Sequence, residues 1–197
     1  MIKLGEKITL KELMSQNWYN NPIAEAKAQK LGKTLRIDED VHPVWKFPVK
    51  NRQVTSPFGH RTLPNGLSHF HNGTDYTGIN QEFAYAIGRC FVTKILKPDY
   101  EYPCRFKWEN GRFVDANVPA GRAWTPYVEL TSSYTRDLKF VYRHGDTNLI
   151  IGDELNAGDV VITVGDYGYS MGKHLHLEIV YLNTYLDPDK WLKGKEL

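Results

Sequence analysis

The sequence predicts a mainly β (α+β) fold, in which an antiparallel β-sheet domain carries a short helical N-terminal extension. From Val41 onward, short runs of β-branched and aromatic residues alternate with turn signals, and no helical pattern of useful length interrupts them. The chain also contains 12 Tyr, 8 Phe and 5 Trp together with 16 Gly and 10 Pro. This composition is typical of strands that are joined by many turns.

Residues 1–40 have a different pattern, which predicts helices. Thr9-Leu10-Lys11-Glu12 fits a capping box, in which the Thr hydroxyl and the Glu carboxylate bind free backbone amides at a helix start. Asn21-Pro22 can open a second helix, and Gly32 can close it. Because such short helices cannot form a core of their own, we expect them to pack on the main domain, residues 41–197.

Four runs in the main domain have the composition of strands, and turn signals such as Asn110-Gly111 separate them. They are Phe91–Leu96, Tyr127–Thr131, Lys139–His144 and Val160–Val164. Residues 97–125 are instead rich in Pro, Tyr, Trp and charged residues, which predicts an insertion at the rim of the domain. Its residues Tyr100, Tyr102, Trp108 and Trp124 can form one wall of a groove or serve as packing residues.

Composition excludes several classes of function. The net charge is +2, and Lys and Arg are interspersed with Asp and Glu, so the sequence lacks the basic stripe that nucleic-acid binding needs. No apolar run approaches the roughly 20 residues of a membrane-spanning helix. Residues 1–18 have no apolar stretch and no small-residue cleavage site, which predicts a protein held in a cytoplasm until its release, or a chain trimmed of its leader. Cys90 and Cys104 are compatible with a disulfide or with two free thiols.

The segment His174-Leu175-His176-Leu177-Glu178-Ile179 contains two of the seven histidines. Residues two apart in a strand share a face, so His174, His176 and Glu178 point one way while the apolar residues point toward a core. The two imidazoles would lie about 7 Å apart, near enough to serve one site. Taken alone, the pattern equally fits an exposed polar face that holds two histidines by chance.

A second cluster, Ser68-His69-Phe70-His71-Asn72-Gly73-Thr74-Asp75, favours a metal site. His71 and Asp75 supply an imidazole and a carboxylate, and Gly73 lets the chain bend between them. One further imidazole from the 174–178 segment completes two nitrogens and one oxygen, the ligand set of a catalytic zinc ion with one open position. Zinc in such a site lowers the pKa of water and polarises a carbonyl, so no protein nucleophile is required.

Three segments together resemble the lysostaphin-type (LytM-like) zinc endopeptidases of bacterial cell walls. They are Thr55-Ser56-Pro57-Phe58-Gly59-His60-Arg61, His71-Asn72-Gly73-Thr74-Asp75 and Gly172-Lys173-His174-Leu175-His176-Leu177-Glu178. The resemblance covers roughly residues 45–192, and the 97–125 insertion is unmatched. The sequence departs from the family pattern at Lys173, Met171 and Leu177, and none of these positions is a ligand.

The resemblance implies a role for each matching residue. His71, Asp75 and His176 would hold one zinc ion, and His174 would be catalytic. The second catalytic histidine of the family lies in a Tyr-x-His element, which Tyr142-Arg143-His144 matches. On a strand, His144 would share a face with Phe140 and Tyr142 and so reach a cleft. The family does not distinguish which of His144 and His174 activates the water.

Other polar residues near these motifs are expected to have lesser roles. His69 rivals His71, but the spacing of His71 to Asp75 is that of the family, so His69 is expected at the rim or behind a ligand. Arg61 is expected to be structural. Glu178 could orient a ligand histidine, although an exposed strand carboxylate is the commoner outcome.

The sequence therefore predicts a zinc endopeptidase that cuts peptide bonds in peptidoglycan. A complete site without a secretion signal predicts a bacteriophage lysis or virion-associated enzyme. One alternative is a non-catalytic wall-binding or hydrolase-activating module of the same fold. Another is a wall peptidase of the D-Ala-D-Ala or L-Ala-D-Glu type, but those enzymes place six residues between the first His and the Asp, and here three separate His71 from Asp75. The bond that is cleaved and the oligomeric state stay open.

Overall fold

A computed structural model describes residues 44–62, 68–77 and 82–195, which form 14 strands and one short helix. The strands are β1 (Val54–Ser56), β2 (Gly59–Thr62), β3 (Ser68–His71), β4 (Thr74–Tyr76), β5 (Phe83–Tyr85), β6 (Cys90–Leu96), β7 (Phe106–Glu109), β8 (Arg112–Asp115), β9 (Tyr127–Ser132), β10 (Leu138–Arg143), β11 (Glu154–Leu155), β12 (Val160–Thr163), β13 (Leu175–Tyr181) and β14 (Thr184–Leu186). The helix is α1 (Pro188–Lys193). The predicted helices in residues 1–40 lie outside the described residues. The division of the chain into a helical extension and a main domain therefore stays a prediction.

One large sheet carries the fold, with the strand order β1-β4-β13-β10-β9-β6-β11 and with β14 paired to β13. Every neighbouring pair of strands in it is antiparallel. Three two-stranded sheets, β12-β5, β2-β3 and β7-β8, are also antiparallel. The prediction of a mainly β, antiparallel domain is therefore confirmed.

The central strands β13 and β10 have one apolar face and one polar face. Leu177 lies opposite Tyr142 across the two strands, and Ile179 lies opposite Phe140; all four are fully buried. They belong to a single core cluster that also includes residues of β5, β6, β9 and β12. His176 lies opposite Arg143, on the other face. The core thus anchors the same strands that present polar residues to the site.

Predicted strand positions agree with the structure at β6, β9 and β12, whose ends differ from the predicted ones by at most one residue. The fourth strand, β10, also differs by one residue at each end, but His144 lies just outside it with a positive φ of 67°. Regular alternation would have placed His144 on the core face with Phe140 and Tyr142. The left-handed backbone breaks that alternation and turns the imidazole to the polar face.

The connection from β6 to β9 contains the exposed ribbon of β7 and β8. Asn110 and Gly111 join the two strands with φ values of 51° and 77°, as the type I′ hairpin turn requires. The base of the ribbon contacts the loop between β12 and β13, because Arg105 N donates to the Gly168 carbonyl and Gly168 N donates to the Pro103 carbonyl. The predicted turn is present, and the status of 97–125 as an insertion stays a prediction.

Both cysteines are free thiols. Cys90 is buried in β6, and burial raises its pKa to about 12, which makes this thiol unreactive at neutral pH. In the part of the chain that the structure describes, no helix has the length and apolar character needed to cross a membrane.

Candidate metal centre

Three strands bring the predicted ligands together. His71 ends β3, Asp75 is the middle residue of β4, and His176 is the second residue of β13. β4 and β13 are neighbours in the large sheet, and their register places Asp75 directly opposite His176. Since opposite residues of an antiparallel pair have adjacent side chains on one face, strand pairing alone brings two of the three groups into contact.

The three potential ligand atoms form a nearly equilateral triangle. His71 Nε2 lies 3.0 Å from His176 Nδ1 and 3.2 Å from Asp75 Oδ1, and His176 Nδ1 lies 2.8 Å from Asp75 Oδ1. Ligands at 2.0–2.1 Å from a tetrahedral zinc ion are separated by about 3.3 Å. The two nitrogens and one oxygen therefore fit one zinc ion after a small outward movement. Among the described residues, no other group of His, Cys, Asp and Glu side chains converges in this way.

Gly73 allows β4 to approach β13 closely enough for this geometry. A Cβ atom at residue 73 would lie 2.4 Å from the Leu177 carbonyl oxygen and 2.7 Å from His176 Nε2. Both distances are shorter than any relaxed contact. The glycine that the sequence places between His71 and Asp75 is thus required mainly by close packing against the strand that carries His176.

Each ligand histidine has its second ring nitrogen occupied. His71 Nδ1 donates to the Pro57 carbonyl oxygen at 2.9 Å, which leaves Nε2 facing the cluster. His176 Nε2 contacts Glu178 Oε1 at 3.2 Å, which leaves Nδ1 facing the cluster. His71 and His176 are 3% and 9% exposed. The two histidines therefore offer different nitrogens to the same point.

Glu178 differs from its expectation, because it is buried and not an exposed strand carboxylate. Arg143 holds it with two hydrogen bonds, Nε to Oε1 at 2.8 Å and Nη2 to Oε2 at 3.2 Å. Burial raises the pKa of Glu178, but the hydrogen bonds from His176 and Arg143 bring it below its ordinary value. Conversely, burial lowers the pKa of His176, and hydrogen bonds to Asp75 and Glu178 raise it above its ordinary value.

Asp75 is surrounded by nitrogen groups that can carry positive charge. Its Oδ1 faces three imidazoles, and Arg61 Nη1 lies 3.7 Å from its Oδ2. Burial raises the pKa of this carboxyl, but hydrogen bonds from His176 and His71 hold it well below the usual range. The carboxylate is therefore ionised at neutral pH, as a zinc ligand must be. Arg61 also donates to the Ser56 hydroxyl.

His144 and His174 lie beside this cluster. The ring centroids of His144 and His174 are 4.6 Å apart, and those of His144 and His176 are 5.9 Å apart. His174 Nε2 lies 3.7 Å from Asp75 Oδ1. The structure thus brings together all five residues that the sequence singled out.

These two histidines are held by backbone carbonyls of the loop between β12 and β13. His144 Nδ1 donates to the Tyr167 carbonyl at 2.8 Å, and His174 Nδ1 donates to the Gly172 carbonyl at 2.7 Å. Each ring in its neutral form therefore has a lone pair on Nε2. Burial, reinforced by the nearby His174, lowers the pKa of His144 to about 3. His144 is thus a neutral imidazole at neutral pH.

Other histidines and aromatic residues singled out in the sequence lie elsewhere. His69 and His60 are exposed on the β2–β3 ribbon and are not part of the cluster. Tyr100 and Trp108 are exposed in the β6–β9 connection. Trp124 donates from its indole nitrogen to the Lys97 carbonyl at 2.7 Å, which fixes the root of that connection.

Sequence reasoning missed the groups that orient the histidines. Arg143 occupies the variable position of the Tyr-x-His element, and only the register of β10 against β13 shows that it faces Glu178. The carbonyl groups of Pro57, Tyr167 and Gly172 carry no side-chain signal at all. Only the placement of Pro57 and Gly172 within the motif segments could have drawn attention to them.

Comparison with known proteins identifies structures with a similar fold. No protein-family model and no curated protein matches the sequence. Among solved structures, a zinc-containing peptidase from Vibrio cholerae is similar over 74% of this chain, with 25% identity and a TM-score of 0.54. This chain covers 39% of that peptidase, about two fifths of its length.

Two further structures match at lower identity. The catalytic domain of the antimicrobial peptidase lysostaphin from Staphylococcus simulans is similar over 73% of this chain and 93% of its own, with 21% identity and a TM-score of 0.50. A chain of the SpoIIIAH and SpoIIQ complex is similar over 75% of this chain and 99% of its own, with 17% identity and a TM-score of 0.52. This chain therefore has the lysostaphin/LytM-type peptidase fold.

Proposed function

We propose that this protein is a zinc-dependent endopeptidase that hydrolyses peptide bonds of bacterial peptidoglycan. One observation carries the proposal: a triangle of two imidazole nitrogens and one carboxylate oxygen, 2.8–3.2 Å on each side, lies beside two further imidazoles. Its fold is that of a zinc-containing peptidase and of an antimicrobial peptidase. Wall peptides are the substrate class that the resemblance of the three sequence segments implies.

His71, Asp75 and His176 would hold the zinc ion. Zinc in a three-ligand site supplies a Lewis acid that polarises a carbonyl and makes water more acidic at neutral pH. The protein contributes fixed orientations, because each ligand already faces the centre of the triangle before an ion binds. It also contributes an ionised carboxylate that balances part of the added charge.

His144 and His174 would move the protons. A neutral imidazole with a bare Nε2 can accept a proton from the attacking water, and a protonated imidazole can donate to the amide nitrogen that leaves. Burial keeps His144 neutral, so its Nε2 is unprotonated at neutral pH. The Tyr167 and Gly172 carbonyls hold both rings by Nδ1, so the Nε2 atoms keep their directions during the proton transfer.

The test is digestion of purified walls from several bacterial species, with released fragments identified by mass spectrometry. We expect the full chain to release peptide fragments and to contain one zinc ion per molecule by elemental analysis. Asp75→Ala and His176→Ala should lose both properties, and His60→Ala, which changes an exposed histidine outside the cluster, should retain both. Unchanged digestion by Asp75→Ala and His176→Ala would refute the assignment. The fragments would also name the bond that is cut.

The alternative is a non-catalytic wall-binding or hydrolase-activating module. A fold alone does not establish catalysis, and this fold also occurs in a chain of the SpoIIIAH and SpoIIQ complex, which is described as a complex and not as a peptidase. It predicts binding to walls without release of fragments at any zinc concentration. The complete set of five polar residues favours the enzyme. Wall degradation during bacteriophage lysis, with the protein released from the host or carried on the virion, stays a prediction about its biological setting.

A further inference from the structure

We infer that Arg143 and Glu178 are positioning residues that fix the direction of the His176 ring, and that they thereby set the affinity of the site for its metal. The inference rests on the proposed function for the identity of the metal. It concerns two residues that make no contact with the reacting atoms. Its physical basis is the chain of hydrogen bonds from Arg143 through Glu178 to His176.

Strand register places these three residues on one face. His176 lies opposite Arg143 on the neighbouring strand, and Glu178 follows His176 by two residues on β13. Arg143 therefore reaches Glu178 diagonally across the strands, a separation that a long side chain can span. The placement is part of the most regular region of the sheet, where six residue pairs in succession join β10 and β13.

The contact between Arg143 and Glu178 has the geometry of a guanidinium–carboxylate fork. Both carboxylate oxygens accept, at 2.8 Å from Nε and 3.2 Å from Nη2. The guanidinium also lies over the Tyr127 ring, 5.3 Å from its centroid, which restricts its movement. A carboxylate with 7% of its side chain exposed needs such a partner, because an unpaired buried charge is strongly unfavourable.

The carboxylate of Glu178 has one remaining contact, with His176 Nε2 at 3.2 Å from Oε1. An ionised carboxylate only accepts, so this contact requires a hydrogen on Nε2. Asp75 Oδ1 accepts at Nδ1 in the same way, at 2.8 Å. A metal ion would replace only the hydrogen on Nδ1, and the contact of Nε2 with Glu178 keeps Nδ1 directed at the Asp75 and His71 ligand atoms.

The test compares two variants of Glu178. Glu178→Met removes the acceptor but keeps the length of the side chain, so the His176 ring loses its partner at Nε2. Glu178→Gln keeps an acceptor oxygen and should retain most of the wild-type affinity for zinc.

The measurement is the Kd for Zn2+, obtained by competition with a chelator. We expect Glu178→Met to weaken binding by about 10–100-fold, the usual effect of removing a group that orients a metal ligand. Arg143→Met should weaken it less, because Glu178 stays in place. In the double variant, Arg143→Met should add no further loss, since Arg143 acts only through Glu178.

The matched control is the exposed pair of Arg89, immediately before β6, and Glu154 on β11, with the same residue types at 3.4 Å. Arg89→Met and Glu154→Met should leave the Kd unchanged. Circular dichroism at the assay temperature establishes that each variant is folded. A wild-type Kd in Glu178→Met, or independent losses in the double variant, would overturn the inference. A protein that digests no walls would contradict the proposed function alone, because the Kd measurement uses no substrate.

Discussion

The two pairs of histidines in the site are positioned by different parts of the molecule. His71 and His176 lie on strands, and His176 is opposed by Asp75 in the sheet register. His144 and His174 lie just outside the ends of β10 and β13, and carbonyls of the β12–β13 loop hold both of them. The difference also extends to charge. An anionic carboxylate contacts His176, whereas a neutral carbonyl contacts His144, whose pKa falls to about 3.

Under the proposed function, one small site contains imidazoles for two tasks. The carboxylate behind His176 raises its basicity and suits it to a metal ion, whereas His71 has the Pro57 carbonyl behind it. The carbonyl groups behind His144 and His174 fix the directions of those rings without adding charge. Variants of the two pairs should therefore fail in different ways.

The largest expected effect is a difference in zinc content between variants of the two histidine pairs. His176→Asn should lose zinc and reduce wall digestion to background, whereas His144→Asn should keep one zinc ion and reduce the rate by about 10²–10⁴-fold. Asn is the appropriate replacement at residue 144, because it tolerates the positive φ there better than Ala does. Elemental analysis and a wall-digestion assay on the same preparations make the comparison.

His174→Asn completes this series and should behave as His144→Asn does. The exposed His69, replaced in the same way, provides the control and should change neither property. Loss of zinc from His144→Asn would end the distinction between the two pairs.

The second effect tests the close approach of the strands. Gly73→Ala should lower the free energy of unfolding by about 1–3 kcal/mol, as overpacking does, and should weaken zinc binding, because the new methyl group collides with the Leu177 carbonyl and the His176 ring. Gly194→Ala is the control, since its nearest contact would be an ordinary 3.4 Å and its φ is −71°. Denaturant unfolding with and without zinc measures both. Equal stabilities of the two alanine variants would show that β4 can move away from β13 at no cost.

The smallest effect concerns the connection outside the sheet. A hydrogen bond from Arg122 holds the pKa of Asp99 well below its usual range. This carboxylate therefore contributes stability above about pH 4, and the contribution is lost as the pH falls further. Asp99→Asn should lower Tm by a few degrees at pH 7 and by less at pH 3, with the zinc content unchanged. A difference in Tm that is the same at both pH values would show that the charge of Asp99 is not involved.

Some features of the site could be predicted from the sequence and others could not. The alternation of His176 and Glu178 with leucines indicated a strand with one polar face, because side-chain direction in a strand has a period of two. The spacing of His71 and Asp75 and the glycine between them indicated a tight turn. Both are local properties, so local sequence carries them.

The positions of His144 and Arg143 could not be predicted in this way. A left-handed residue at the end of a strand reverses the expected face, and no residue type at 144 announces it. The pairing of Arg143 with Glu178 depends on register between strands that are 35 residues apart in sequence. For the same reason Glu178 was expected to be exposed: its partner is on another strand.

The β7–β8 ribbon pairs with no other strand among the described residues, and a two-residue turn closes its far end. Its length can therefore change without altering the hydrogen bonding of the large sheet, because adding or removing residue pairs moves only the tip. Closing a longer loop carries only a small entropic penalty. Related chains can thus acquire different ribbons by insertion or deletion, and an engineer can exchange this one for a binding segment while the strands with the five polar residues stay unchanged.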